Sequence, residues 1–363
     1  MDFGAKNRKG GAALAAVLIM IILIAAGTTI MVVSGRGQIK QAEELPIVAS
    51  KESKPDESES EPDSEPDSQV ESEPEPEVRY PEPTLSEKFR EVSVVDDGFA
   101  TKNIMLLNVD KNEIVAGSHY DEKIYPASLT KIMTLIVAVE NVSDQNVQFK
   151  FTNEMLAPLV EEKASVVGFS DGESVPFKDL LYGAVLVSGA DATSALAKLI
   201  AGSEPAFVDM MNAKAKALGL TDTHFMNASG LHDDKHYSTC KDMAIIFAYA
   251  LQNPLIKEVI SAPQYVTAKT TQHPDGITLY SIVHSRFMGY YIDADGDGKA
   301  DKDTKFLGGK TGFTDEAGYA LETVIEKKGE LYIGINCMTP KDTVNAVARC
   351  TEDNIRIYET FLK

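Results

Sequence analysis

Residues 41–83 carry 15 acidic and 3 basic side chains in 43 positions and cycle through Glu, Ser and Pro, as in Ser60-Glu61-Pro62-Asp63-Ser64-Glu65-Pro66-Asp67. Such a tract holds too little apolar surface to offset the entropy lost on ordering it, so no packed core can include it. Charge repulsion and proline instead push it toward an extended polyproline form, with a reach on the order of 130 Å at about 3.1 Å per residue. A folded domain must therefore start near Thr84 and be built from 84–363, a length that supports one large domain or two ordinary ones.

Upstream of the acidic tract lies a second constraint. From Gly10 to Val33 the chain is almost continuously apolar, and the next charge is Arg36. About twenty such residues span a bilayer. Lys6, Arg8 and Lys9 precede the run, which places 1–9 in the cytoplasm and everything after it outside. The run exceeds the 7–15 apolar residues usual for a cleaved signal and has no clean cleavage box beside it, so an uncleaved single-pass anchor is expected. The expected organisation is a cytoplasmic N-terminus (1–9), a transmembrane anchor (10–33), an extracellular stalk (34–83) and a folded domain (84–363) at the cell membrane.

The formal charge of -20 is concentrated in the stalk, since 84–363 holds 39 acids and 27 bases. A polyanion of this kind is a poor nucleic-acid partner, and none is expected. Cys240, Cys337 and Cys350 are too few for a disulfide scaffold and lack a C-x-x-C pair, so they read as buried small hydrophobes. A Cys337–Cys350 bridge is an alternative for an extracellular domain.

Within the folded part, 103–109 and 113–117 flank Asp110-Lys111-Asn112 and read as a β-hairpin. Helical patterns come next, from Pro126 to about Val139 and near 176–187, 190–201, 205–218 and 239–251. Strand patterns return at 305–309, 318–326 and 330–337, and a final amphipathic helix is expected from about Lys341 to Leu362. Strands, then helices, then strands, then a helix implies an α+β domain whose terminal strands share one antiparallel sheet.

Ser128-Leu129-Thr130-Lys131 starts just after Pro126, a favoured residue at a helix start. A spacing of three puts Ser128 and Lys131 on one helical face. There the helix N-terminus and burial both disfavour a protonated amine, and a neutral Lys beside a hydroxyl is a nucleophile with its base. The S-x-x-K pattern is short enough to recur by chance, and Ser238-Thr239-Cys240-Lys241 also fits it. Two elements further along the chain single out the first copy: Ser188-Gly189-Ala190 at a junction of two helical stretches, then Lys310-Thr311-Gly312 after Gly308-Gly309 at a strand end. S-x-x-K, S-D-N and K-T-G, in that chain order, form the set shared by class A β-lactamases and penicillin-binding proteins.

Longer segments carry the same resemblance: Pro126-Ala127-Ser128-Leu129-Thr130-Lys131-Ile132-Met133-Thr134, Asn227-Ala228-Ser229-Gly230-Leu231-His232, His236-Tyr237-Ser238-Thr239 and Gly309 through Tyr319. Over about 90–363 the chain resembles the serine D-Ala-D-Ala carboxypeptidases, the low-molecular-mass penicillin-binding proteins. The resemblance implies a β-lactamase/transpeptidase-like fold, with a five-stranded antiparallel sheet flanked by helices and an all-α subdomain. It implies that Ser128 attacks the bond between the two terminal D-alanines of a peptidoglycan stem peptide while Lys131 takes its proton. Ser188 would relay a proton to the leaving amine. Lys310 and Thr311, with Gly312 and Phe313 beside them, would hold the substrate, the N–H groups of Ser128 and Phe313 forming an oxyanion hole. β-Lactams would acylate the same serine.

One position departs from the family pattern. Its second motif usually ends in Asn where this chain has Ala190, so slower or differently specific acylation is expected. Two other readings stay open, the first because class A β-lactamases share the motif set and the second because of Ala190. A β-lactamase-like hydrolase would need a glutamate base after Ser188, and the stretch around 215–235 has none, Glu161 and Glu162 lying before Ser188. An inactive wall-binding pseudoenzyme is the other. The chain ends about fifty residues past Lys310, which leaves no room for the extra C-terminal β-domain of some members; with an N-terminal anchor, this architecture fits a Gram-positive-type surface.

No cofactor is expected. Asp293, Asp295, Asp297 and Asp301 alternate with small residues like the start of a calcium loop, but Thr304 stands where the bidentate Glu belongs, leaving at most a weak Ca²⁺ site beside the reading as a solvated acidic insert. His232 and His236 are four apart, yet Gly230, Asp233 and Asp234 make the segment a loop and argue against zinc. Tyr290-Tyr291 read as a strand-end pair.

Overall fold

The structure, a computed structural model, describes residues 80–363; the expected cytoplasmic N-terminus (1–9), the expected anchor (10–33) and all but the last four residues of the expected stalk (34–83) lie outside the described residues. Among the described residues no single helix is long and apolar enough to cross a membrane.

Six strands form one sheet: β1 (Thr84–Glu91), β2 (Asn103–Asn108), β3 (Glu113–Ser118), β4 (Thr304–Thr314), β5 (Gly318–Lys327) and β6 (Glu330–Thr339), in the spatial order β1-β3-β2-β6-β5-β4. The expected hairpin is β2–β3, and β6 pairs antiparallel with β2, so the N- and C-terminal strands do share a sheet. Five strands are antiparallel, but the sixth, β1, runs parallel to β3 at the edge, so the sheet is mixed rather than five-stranded. Residues 84–91 do not read as a strand because most of them are exposed and charged residues interrupt the run, a composition that suits an edge strand and erases the apolar alternation.

Both sheet faces are covered, which is why β2 reads as a continuous apolar run instead of alternating. Met105 and Leu107 face one core, with Ile132, Phe247, Val324 and Ile333; Ile104 and Leu106 face the other, with Leu321, Ile325, Ile357 and Tyr358. The first core is roofed by α1 (Lys131–Asn141), α2 (Asn153–Glu161), α3 (Phe177–Leu186), α4 (Ala190–Ala201), α5 (Glu204–Ala217), α6 (Cys240–Ala250) and α7 (Pro254–Ser261). The second is covered by α8 (Ile282–Phe287) and α9 (Ala346–Phe361). Two short ribbons, Gln148–Lys150 with Ser174–Pro176 and Gln264–Val266 with Thr278–Tyr280, interrupt the helical layer, which is therefore not purely α.

Several boundaries differ from the sequence reading. The helix expected from Pro126 opens as a 3₁₀ turn over Ala127–Thr130 before α1 begins. The strand expected to stop at 309 continues to Thr314, so Lys310-Thr311-Gly312 lies inside β4. The last helix starts at Ala346 instead of Lys341, because Asn345 adopts a left-handed backbone with φ of 55°. Tyr290 and Tyr291 lie outside any strand. α2 escapes the periodicity because Pro158 sits inside it, whereas α7 has a legible start: the Asn253 side chain accepts from the N–H groups of Leu255 and Ile256, with Pro254 in the first turn. Cys240, Cys337 and Cys350 are buried free thiols, with no bridge between the last two.

Glu322 is an anomaly of this core. It pairs across β5–β4 with Lys310, is 0% exposed, and neither carboxylate oxygen has a hydrogen-bond partner among the described residues. Burial, with the Cys240 thiol as a smaller contributor, pushes its carboxyl well above the usual range. A carboxyl kept neutral by burial opposes folding increasingly as pH rises above about 4, the value it has when unfolded. Glu322→Leu is therefore expected to stabilise the protein by about 1–3 kcal/mol near neutral pH, with the gap to wild type widening from pH 5 to pH 8. Denaturant melts across that range measure it, and a constant gap would discard the assignment.

Candidate functional site

The 3₁₀ turn that opens α1 packs against the middle of β4 and delivers Ser128 to the sheet edge. A Cβ on Gly312 would lie 3.1 Å from the Pro126 carbonyl oxygen, so any larger residue there would force the strand and the turn to give by a few tenths of an ångström. From the next turn of helix, Lys131 Nζ donates to Ser128 Oγ at 3.0 Å and to the Ser229 carbonyl. Lys131 is 2% exposed, and burial, opposed by the Asp191 carboxylate, lowers its pKa to about 7.

Across from this pair, Lys310 reaches from β4 to donate to Ser188 Oγ at 3.0 Å and to its neighbour's carbonyl, that of Thr311, at 2.8 Å. Lys310 is 1% exposed; burial first, then the positive charges of Lys131 and Arg286, holds its pKa well below that of an ordinary lysine. Ser188 joins α3 to α4 with φ of 61°, a backbone that a serine adopts at a cost when its surroundings impose it. The fold thus brings together residues 128, 131, 188 and 310, each amine against one hydroxyl. Thr311 is buried beside Lys310, while Phe313 is 43% exposed, its ring 4.4 Å from that of Tyr319.

Asp191 does not face the pair as a substitute for the missing Asn. Its carboxylate accepts the N–H groups of Val167, Gly168 and Ala192, and the Ala190 N–H donates to the Ser165 carbonyl at 2.7 Å. These bonds fasten the 165–168 segment to the start of α4.

Three further residues near the site are given no role in it by the sequence. The Ser229 carbonyl comes from the Asn227–His232 loop, docked so closely that a Cβ on Gly230, at φ of 82°, would lie 1.8 Å from the Ala127 carbonyl oxygen. Arg286, on α8, has a buried Nη1 with no hydrogen bond among the described residues, although its charge is felt by Lys310. His236 is buried against Thr130. Ser229 and His236 sit in segments that already carry the family resemblance; Arg286 carries no local signal, because only the chain's return along β4 brings α8 near Lys310.

Other candidates fall elsewhere. Ser238 bonds Thr223 and Lys241 pairs with Glu82, so the second S-x-x-K copy is not assembled. His232 lies 3.4 Å from Asp234 and packs edge-on to Tyr125, apart from the buried bond of His236. Among the described residues, the one group of three side chains within reach of a shared ion is Asp293, Asp295 and Asp297. Asp301 is not in it; its carboxylate is taken by Lys327 at 2.6 Å, and Asp293 already accepts from the N–H groups of Gly296, Asp297 and Gly298.

The D-alanyl-D-alanine carboxypeptidase family profile matches residues 90–335. The chain is 29% identical over 262 residues to D-alanyl-D-alanine carboxypeptidase DacF of Bacillus subtilis, covering 71% of this chain and 63% of that one. It is 32% identical over 228 residues to DacA of Escherichia coli, covering 61% and 51%. The match thus spans between half and two thirds of these two relatives. Among solved structures, a cysteine-to-alanine mutant of the Streptomyces K15 DD-transpeptidase superposes with a TM-score of 0.62 at 25% identity, over 73% of this chain and 99% of that one. A D-alanyl-D-alanine carboxypeptidase from Mycobacterium tuberculosis shares the fold at 23% identity, with a TM-score of 0.59 over 71% and 90%. The mixed sheet flanked by helices is the β-lactamase/transpeptidase-like architecture of these proteins, and with two thirds of its length inside the family profile the chain belongs to the D-alanyl-D-alanine carboxypeptidase family.

Proposed function

We propose that this protein is a membrane-anchored serine carboxypeptidase that removes the terminal D-alanine from peptidoglycan stem peptides. The observation that carries the reading is the buried Lys131 amine, with a pKa near 7, held 3.0 Å from Ser128 Oγ. In the reaction, Ser128 Oγ bonds to the carbonyl carbon between the two D-alanines as its proton passes to Lys131 Nζ. The N–H groups of Ser128 and Phe313 receive the oxyanion, a term worth about 2.7–4 kcal/mol per donor. The C–N bond then breaks, the leaving amine takes a proton through Ser188 Oγ, and water cleaves the resulting ester. The substrate's terminal carboxylate is met by Lys310 and Thr311, with Arg286, whose buried Nη1 has no hydrogen-bond partner among the described residues, as a third contributor. At position 190 the chain supplies a methyl group in place of an amide, and the second acceptor of Lys131 is the Ser229 carbonyl. The apolar run 10–33, preceded by three basic residues, supports an anchored domain facing the cell wall.

The test is intact-mass spectrometry of the full chain after exposure to benzylpenicillin, beside Ser128→Ala, and then an assay of D-alanine release from a stem pentapeptide. A stable adduct in wild type only, with D-alanine released, is the expected result. Drug consumed without a lasting adduct would identify a β-lactamase-like hydrolase. Untouched drug and no D-alanine would identify a wall-binding pseudoenzyme.

A further inference from the structure

We infer that His236 is a positioning residue for the Ser128–Lys131 pair, acting through the hydroxyl of Thr130; the inference rests on the acyl-transfer reading above. The imidazole bridges two elements. The Met226 N–H donates to Nδ1 at 3.2 Å, which makes Nδ1 the acceptor and leaves the Nε2 hydrogen for Thr130 Oγ1 at 2.8 Å. His236 is 2% exposed, and burial, only partly opposed by Asp233, brings its pKa down to about 4, so this tautomer persists at neutral pH.

Thr130 stands between nucleophile and base, where the 3₁₀ turn becomes α1. Its hydroxyl does not cap the helix; it is turned sideways to the imidazole. Two neighbours on the same helix bond to the same loop: Lys131 to the Ser229 carbonyl, and Thr134 Oγ1 to the Ala228 carbonyl at 2.6 Å. The loop is stiffened from within by Asn227, whose side-chain oxygen accepts from the N–H groups of Ser229 and Gly230. His236 thus joins one end of this loop to the turn whose lysine the loop's middle must reach.

That docking bears on the chemistry. A neutral amine has two N–H bonds and one lone pair. An N–H committed to the Ser229 carbonyl restricts rotation of the amine and helps aim the lone pair at the Ser128 hydroxyl. Removing the imidazole leaves the Met226 N–H and the Thr130 hydroxyl unpaired in a buried site, and the loop and turn lose their shared anchor. A misplacement near 1 Å in such a pair slows reaction by up to about 100-fold.

The experiment tracks acylation of the full chain by benzylpenicillin, read by intact mass against time, alongside melting temperature, in His236→Ala, His236→Gln, His236→Asn, Thr130→Val and the Thr130→Val/His236→Ala pair. A glutamine amide nitrogen overlays Nε2 and restores the donor to Thr130; an asparagine oxygen overlays Nδ1 and restores only the acceptor for Met226. The expected result is acylation slowed about 10- to 100-fold by His236→Ala and by Thr130→Val, with the double variant no slower than either single one. His236→Gln recovers most of the rate, and His236→Asn recovers melting temperature without the rate. Rates that multiply in the double variant, Asn acylating as fast as Gln, or no change in any variant would overturn the inference. A wild-type chain that is never acylated would remove the acyl-transfer reading and this inference with it, and is told apart by the wild-type trace alone.

Discussion

Lys131→Arg is expected to slow acylation of Ser128 by about a thousandfold, within the range attributed to general bases. Lysine can act here because burial lets it shed its proton near pH 7, and because its Nζ lies 3.0 Å from the oxygen it must deprotonate. Arginine keeps a cation in the same place but cannot be deprotonated in a protein, so the charge survives and the base does not. The wild-type rate carries the matching signature. The reactive form is the neutral amine, so acylation should fall about tenfold per unit as pH drops below 7 and level off above it. Quenched-flow acylation with benzylpenicillin between pH 5.5 and 9 tests this directly. A flat profile, or an arginine variant as fast as wild type, would show that Lys131 is not the base.

The second large effect is expected at the other buried amine. Lys310→Ala removes the partner of Ser188 Oγ and a cation proposed to meet the substrate's carboxylate. Hydrogen bonds to charged groups contribute about 1.5–3 kcal/mol, so a loss of roughly 10- to 100-fold in acylation efficiency is expected. Its specificity is the informative part. In wild type, esterifying the carboxylate of the β-lactam should slow acylation, whereas in Lys310→Ala the acid and its methyl ester should react at nearly the same rate. If the variant slows both equally, Lys310 serves Ser188 and the scaffold, and recognition of the carboxylate belongs to Thr311 or Arg286.

The two amines owe their lowered pKa values to one main cause. Burial is the largest cause for both, and at Lys310 the positive charges of Lys131 and Arg286 add to it. With Lys131 neutral, Lys310 and Arg286 carry the positive charge on this side of the fold, although the folded domain as a whole is acidic.

How much of this is legible in the chain depends on the range of the interactions involved. The Ser128–Lys131 contact is set by three residues of spacing within one turn, and that turn's start is marked by Pro126, so local geometry alone leads to it. The β2–β3 hairpin and the β5–β6 pair are legible for the same reason, each being an apolar run broken by turn chemistry. The order of Ser128, Ser188 and Lys310 is recognisable as a motif, but nothing in their wide separation along the chain states that two hydroxyls and two amines meet.

The tertiary structure decided the rest. Edge strand β1 pairs parallel to β3 with an exposed, charged sequence that burial never had to pattern. Glu322 looks like any surface residue of a strand until both faces of the sheet are covered. Ser229, His236 and Arg286 join the site because a glycine at 230 lets a loop touch the nucleophile turn and because α8 packs beside β4. Sequence by itself determined which side chains were available and which short-range pairs would form, since those depend on helical and strand periods. Only the packed fold determined which distant groups lose water together, and desolvation is what turns an ordinary lysine into a base.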